Sequence, residues 1–334
     1  MNYITHVNNL IRTNVAQHSP LVLFGQNIGA GSCIGGLTRG LKTGEGRHVL
    51  NTPNSENTLV ATGFGLLLNG VSSIFFMKQQ DFLLLGIDQL VNTYNLVRRR
   101  KLTNSFTIFN VVVDSGYEGP QSALNNFHDF CSIARIPGYA MTNKHDAEVI
   151  IGRHLVAPGF RIIGISQRLC KLDLLENPEP VSHDADGEIF QYSEGDDVTV
   201  ACFNFSFPQG QAFCAELKKH GHSASLFSVN AMLPVDWKRI LQSAQRTGKL
   251  VVLDDSKSVN SCCQHLVIAA HQELKLERLL FLTRKKTDEA LSPNADEFVL
   301  NHASVITQLG FVLEPSRSAP VPTLAAAGLA KAAV

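Results

Sequence analysis

Glu56 stands out among the ionisable side chains of this sequence. It lies in HVLNTPNSENTLVATGFGLLLNG (48–70), where the pattern predicts a strand ending at Asn51, a Thr-Pro loop, and a helix starting near Ser55 and Glu56. A first-turn carboxylate is favoured by the helix dipole whatever else it does. The same group can also act as a general acid or base. The small residues Ala61, Gly63 and Gly65 then allow close packing against another backbone. Other chemistry-bearing patterns fail on spacing. In GAGSCIGG (29–36) the third position of G-x-G-x-x-G is Ile34, so a tight loop is favoured over a dinucleotide site. Ala30 and Ile34 stand where a nucleophile elbow around Ser32 would need glycines. His183 beside Asp184 and Asp186, and the pair His220 and His222, have no zinc spacing, so no metal site is expected.

The elements that must position Glu56 alternate between strand and helix. Short apolar runs occur at 20–25, 47–51, 72–77, 105–113 and 160–166. Helical patterns lie between them, one with Leu83, Ile87, Leu90, Tyr94 and Val97 on one face. Arg98, Arg99, Arg100 and Lys101 end that helix, most simply as a dipole-favoured C-terminus and solvated turn. Further helices are expected over 124–135 and 145–156. Residues 173–196 are polar and acidic and read as a linker. Alternation then resumes, with strands at 198–203, 223–229, 249–255 and 279–283 and helices at 209–219, 235–246, 260–274 and 301–309. The expected fold class is α/β, with two domains, each a mostly parallel sheet covered by helices. Their limits are 1–172 and 197–314, followed by a flexible tail, 315–334.

Composition narrows the function. The 334 residues are 44% hydrophobic and 17% charged, with 29 basic and 29 acidic side chains. A chain so poor in charge is expected to hide surface against partner subunits. Its zero net charge removes any bulk attraction to nucleic acid or an anionic membrane. No apolar run reaches the roughly 18 residues of a membrane span. Seven cysteines without a C-x-x-C fit reduced core cysteines in a cytoplasmic protein better than a disulfide framework.

LNTPNSE, then the glycine-rich helix, then IFFMKQQDFLLLGIDQLVN, resembles the beta subunit of thiamine-diphosphate-dependent 2-oxo acid dehydrogenases. It is similar also to the pyrimidine-binding domain of the related transketolases. Asp81, Phe82, Asp88, Gln89 and Asn92 match that pattern, as do GGLTRGL (35–41), GYEGP (116–120) and ARIPGY (134–139) with Asp146 and Ala147. EGDDVTV (194–200), LPVD (233–236) and RTGKLVVLDD (246–255) are similar to the family's C-terminal domain. The resemblance covers about residues 20–310.

The resemblance implies a pyrimidine-binding thiamin fold followed by a transketolase C-terminal-like domain. It implies thiamine diphosphate with Mg2+ as cofactor, and Glu56 as the carboxylic acid at the aminopyrimidine ring nitrogen. Phe76, Phe82 and Gln79 align with cofactor-side positions, although core packing explains the two phenylalanines as well. Ser122 stands where the family usually has a histidine, and Gln26 and Asn27 stand where dehydrogenase subunits usually have Glu-Asp. Ser122, Gln26 and a substitute histidine, His128, are therefore the candidates on the substrate and acceptor side. The G-D-G…Asn motif that holds the diphosphate and metal is absent, and ADGE (185–188) lacks the first glycine. An alpha subunit is thus expected to supply them, in an assembly of two alpha and two beta chains acting on a small keto substrate. A split transketolase or acyloin synthase, and a non-catalytic scaffolding subunit, are the alternatives.

Overall fold

A computed structural model describes residues 1–114, 127–170, 172, 178–233, 236–258, 260–284 and 298–313. Ser122, GYEGP and the tail 315–334 lie outside the described residues, as do two residues of LPVD. Helix α1 (Tyr3–Ala16) is capped by Asn2, whose side chain accepts from the Thr5 amide. Strand β1 (Leu21–Gly25), β2 (Arg47–Asn51), helix α2 (Glu56–Leu68) and β3 (Ser72–Met77) follow. Next come α3 (Tyr94–Val97), β4 (Ser105–Val112), α4 (Phe127–Ser132), β5 (Gly138–Met141), α5 (Lys144–His154) and β6 (Gly159–Ser166). The first sheet has the order β2-β1-β3-β4-β6-β5 and all its pairs are parallel. β4 is buried along its whole length, as a central strand covered on both faces must be.

The helix expected from Phe82 onward is broken. It forms a tight 3-10 turn over Gln80–Gly86, a π-helical turn over Gln89–Thr93, and only then α3. Gly86 interrupts the helical sequence and sits hard against α2, where an added Cβ would lie 2.8 Å from Val60 Cγ2. The inward face is nonetheless the expected one: Leu83, Leu90, Tyr94 and Val97 are buried. In α2, Gly63 meets the Phe106 ring, where a Cβ would be 2.1 Å away, while Gly65 faces open space.

After α6 (Gln167–Cys170) the segment expected as a linker, 173–196, supplies two strands. β7 (Ser182–His183) and β8 (Ile189–Ser193) form an antiparallel pair, and β8 joins the second sheet against β10. The acidic residues between them make a hairpin turn. The Asp184 carboxylate accepts from the amides of Asp186, Glu188 and Ile189. The second sheet then builds from β9 (Val198–Phe203), α7 (Phe207–Lys219), β10 (Ala224–Val229), α8 (Lys238–Thr247), β11 (Lys249–Asp254), α9 (Gln264–Glu273), β12 (Arg278–Thr283) and α10 (His302–Gln308). Its order is β12-β11-β9-β10-β8-β7. Of the seven cysteines, Cys131, Cys202, Cys262 and Cys263 are buried, and burial raises their thiols above the ordinary range.

Two of the contacts that join the sheets bear on the site. Ala140 donates to the Asn230 carbonyl and Met232 to that of Gly138, both at 2.8 Å, with Tyr139 and Ala231 bridging antiparallel. Beside this bridge the buried Asp146 accepts from Thr142, Asn143 and Asn230. The second contact is a buried charge cluster. Arg168 Nη2 lies 2.8 Å from Asp255 Oδ2 and 3.6 Å from Asp114 Oδ2. Asp114 follows β4 and Asp255 follows β11, so the carboxyl ends of the two sheets meet across one guanidinium.

Candidate active site

The carboxyl ends of neighbouring strands in an open parallel sheet make the natural crevice for a ligand. Here the ends of β2, β1 and β3 lead respectively to Glu56, Gln26 and Gln79. Gly25 pairs with Asn51 and Phe24 with Phe75, so the three ends are adjacent and span about 10 Å at the usual strand spacing. The loop leading to Glu56 is tied on both sides. Thr52 donates its amide to the Gly25 carbonyl at 3.1 Å, and Asn51 Oδ1 accepts from the Gly29 amide at 2.9 Å. The glycine run 29–36 thus serves as a tight loop: Cys33 and Ile34 both take left-handed backbone, and Gly29 reaches the strand beside it.

Glu56 opens α2 and is 8% exposed. No hydrogen-bond donor among the described residues reaches its carboxylate. Gly86 closes the turn carrying Phe82 onto the first turn of α2, with its Cβ position 3.5 Å from the Glu56 carbonyl. Phe82 packs on the core yet keeps part of its surface open. Gln79 and Gln26 are half-buried.

Phe76 departs from its expected place on the cofactor side. It is wholly buried, and its ring lies 5.7 Å from that of Phe109 inside the sheet's core. It offers no free face and is a packing residue. His128 also lies elsewhere, on α4, over the β6–β5 side of the sheet. Its Nδ1 donates to the Met232 carbonyl at 2.9 Å, and it lines a cavity of about 420 Å³ between the domains with Trp237, Cys262 and His265. None of the Glu56, Phe82, Gln79 and Gln26 side chains lines that cavity.

The Glu56 edge also holds polar residues that sequence reasoning did not assign. Both side-chain polar atoms of Gln80, and Thr52 Oγ1, are buried without a partner among the described residues. Such orphaned groups are costly unless something meets them. Asp81 is buried, and burial pushes its carboxyl up to about 6 against the pull of the Lys257 ammonium from the second domain. The run QQD after a strand end was the available signal, since three polar residues followed an apolar strand. Among the described residues no group of three His, Cys, Asp or Glu is placed to hold a metal. His220 faces Glu216 at 3.5 Å and His222 stacks on Phe311.

Residues 187–281 match the transketolase C-terminal domain family. The chain is 25% identical over 265 residues to the beta subunit of 2-oxoisovalerate dehydrogenase from Bacillus subtilis (strain 168), covering 77% of this chain and 80% of that one. It is 23% identical over 257 residues to the beta subunit of the pyruvate dehydrogenase E1 component from Acholeplasma laidlawii, covering 75% and 78%. Among solved structures, a split-gene transketolase described as an inactive beta4 tetramer superposes with a TM-score of 0.69 at 14% identity, covering 92% of this chain and 96% of that one. The chain is therefore a relative of the beta subunits of 2-oxo acid dehydrogenases, with a transketolase-type fold and a transketolase C-terminal domain over residues 187–281.

Proposed function

We propose that this chain is the pyrimidine-binding beta subunit of a thiamine-diphosphate-dependent enzyme that breaks or makes a carbon–carbon bond next to a carbonyl. The observation that carries this reading is Glu56: a buried carboxylate at the carboxyl ends of the sheet's strands, with no donor among the described residues. The unpartnered Gln80 amide, on the turn packed against α2, and the unpartnered Thr52 hydroxyl, on the loop leading to Glu56, suit an edge that a bound group completes. Thiamine diphosphate, when bound, supplies a carbon nucleophile for the substrate carbonyl. The protein's part is to hold a proton at the aminopyrimidine ring nitrogen, and Glu56 is the residue for it. Phe82 provides an aromatic wall, while Gln79 and Gln26 offer neutral hydrogen-bonding amides. The diphosphate and Mg2+ are assigned to an alpha subunit, in a two-alpha, two-beta assembly, because this sequence has no motif for them.

Gln26 at the end of β1 favours a second reading of the acceptor. A neutral amide does not relay a proton, so ketol or acyl transfer to an aldehyde suits this edge better than reductive acylation of a lipoyl carrier. Glu56→Gln in the reconstituted two-subunit enzyme tests the main reading. The expected result is a loss of more than about a hundredfold in rate with folding and assembly intact. Activity within a few-fold of wild type would remove Glu56 from the mechanism.

A further inference from the structure

The opposite, amino-terminal edge of the first sheet carries a cavity of about 570 Å³. It lies where the chain enters β4, β5 and β6, far from the strand ends that lead to Glu56. Its walls include Tyr94, Arg98, Arg100, Lys101, Tyr139 and His154. Arg161 also lines the cavity, though its guanidinium is nearly buried and donates to the carbonyls of His154, Ala157 and Pro158. No carboxylate lines the cavity among the described residues. The excess of positive charge lies on the Arg98–Lys101 side, since Glu188, Asp184 and Asp186 act on Tyr139 from the other side without lining the cavity.

A helix C-terminus and solvated turn accounts for the basic run by sequence, and two observations argue for more. First, Arg98 is held in place: Nη1 donates to the Ala134 carbonyl at 3.1 Å. Arg98, Arg100 and Lys101 have no ion pair among the described residues, whereas Arg153 nearby is paired with Asp186 at 2.6 Å. Second, Tyr94 and Tyr139 have buried rings, and neither hydroxyl bonds to another described residue, so both are free to face the cavity. Burial pushes Tyr139 up to about 12 and raises Tyr94, so both hydroxyls remain donors at neutral pH. Tyr139 is also braced by His154, stacked at 4.0 Å. Solvent-accessible hydroxyl donors beside unpaired cations are the complement of a multiply charged oxyanion. The volume falls in the range of small-molecule sites, about 300–1,000 Å³.

We infer that this cavity binds a phosphorylated small molecule, with its phosphate oxygens on Arg98, Arg100 and Lys101 and on the two tyrosine hydroxyls. The site is separate from the crevice at Glu56 and does not depend on the function proposed for it. The test is calorimetric titration of the full chain with inorganic pyrophosphate, without added metal and at low salt. The expected result is saturable binding at about one site per chain. The variant carrying Arg98→Gln, Arg100→Gln and Lys101→Gln, all exposed side chains, should bind at least tenfold more weakly with an unchanged unfolding midpoint. Tyr139→Phe should bind several-fold more weakly, and Glu56→Gln as wild type does. The inference falls if the triple variant binds within threefold of wild type. It falls equally if no saturable binding is seen, or if Glu56→Gln abolishes binding, which would place the anion at the other edge.

Discussion

Truncating Arg168 is the sharpest test of how the two domains are held together. Arg168→Met keeps an apolar stem of similar length and removes the cation between two carboxylates that are both wholly buried. At an effective dielectric of about 20, attraction at 2.8 Å and 3.6 Å is about 6 and about 5 kcal/mol before desolvation. Removing one partner of a buried pair costs about 3–5 kcal/mol, because the remaining charge is left uncompensated. Each carboxylate keeps other donors, Ser166 Oγ and the Arg168 amide for Asp114 and the Phe205 amide for Asp255. The low end, about 3 kcal/mol, is therefore expected. Burial already raises the Asp255 carboxyl, with Arg168 opposing it. Without Arg168 that carboxyl rises further, so the folded state takes up a proton more readily than the unfolded chain. The deficit should shrink as pH falls from 8 to 5. Urea unfolding followed by the single tryptophan, Trp237, and by circular dichroism measures it. Adding Asp255→Asn to Arg168→Met should recover at least about 1 kcal/mol. A loss below about 1 kcal/mol for Arg168→Met, or no coupling between the two changes, would refute the reasoning.

Three further outcomes follow from local geometry. Asp81→Asn should stabilise the protein by about 1 kcal/mol at pH 7.5. Because burial holds the native carboxyl near 6, wild-type stability falls as pH rises from about 4 to 6, and the variant should lose that slope in pH-dependent denaturation. Arg161→Met should cost about 2–4 kcal/mol in thermal unfolding, since the guanidinium donates to the carbonyls of His154, Ala157 and Pro158 and to Thr107 Oγ1, all of which lose a donor. Within α2 the sign of Gly→Ala should flip. Gly63→Ala should destabilise by about 1–3 kcal/mol through its clash with Phe106, while Gly65→Ala, with open space around it, should gain about 0.5–1 kcal/mol.

Strands and helices were legible wherever apolar runs alternated with helical spacing, and the position of Glu56 followed from a strand end, a Thr-Pro loop and a helix start. The misses have physical causes. β8 was hidden because the I-F-Q-Y alternation of Ile189–Tyr192 sits directly behind an acidic hairpin turn that resembles a linker. Gly138–Met141 is too short to show a period, and only its neighbours make it a strand. SSIFFM gave no hint of which phenylalanine was available. A strand covered on both faces has no alternation to read, and only packing shows that Phe76 turns to Phe109. His128 engages a carbonyl 104 residues away, a proximity no local pattern encodes. The burial of Gln80 and Asp81 is equally tertiary: it arises as the turn folds back on α2, and the charge that pulls on Asp81, Lys257, comes from the other domain.

The backbone bridge between Gly138–Ala140 and Asn230–Met232 bears on more than domain orientation. β5 is an outer strand of the first sheet, and an outer strand ordinarily leaves a row of amides and carbonyls open to pairing with another molecule. Here the second domain occupies that row with its own main chain. The same hydrogen bonds break only when the domains separate, so the amide protons of Ala140 and Met232 become reporters of that opening. Their exchange with solvent deuterium should match each other in rate and be slower than that of the outer strand β2, whose far side no described strand covers. The seam thus shields the strand from unintended association and ties the unfolding of the first sheet's far border to that of the second domain.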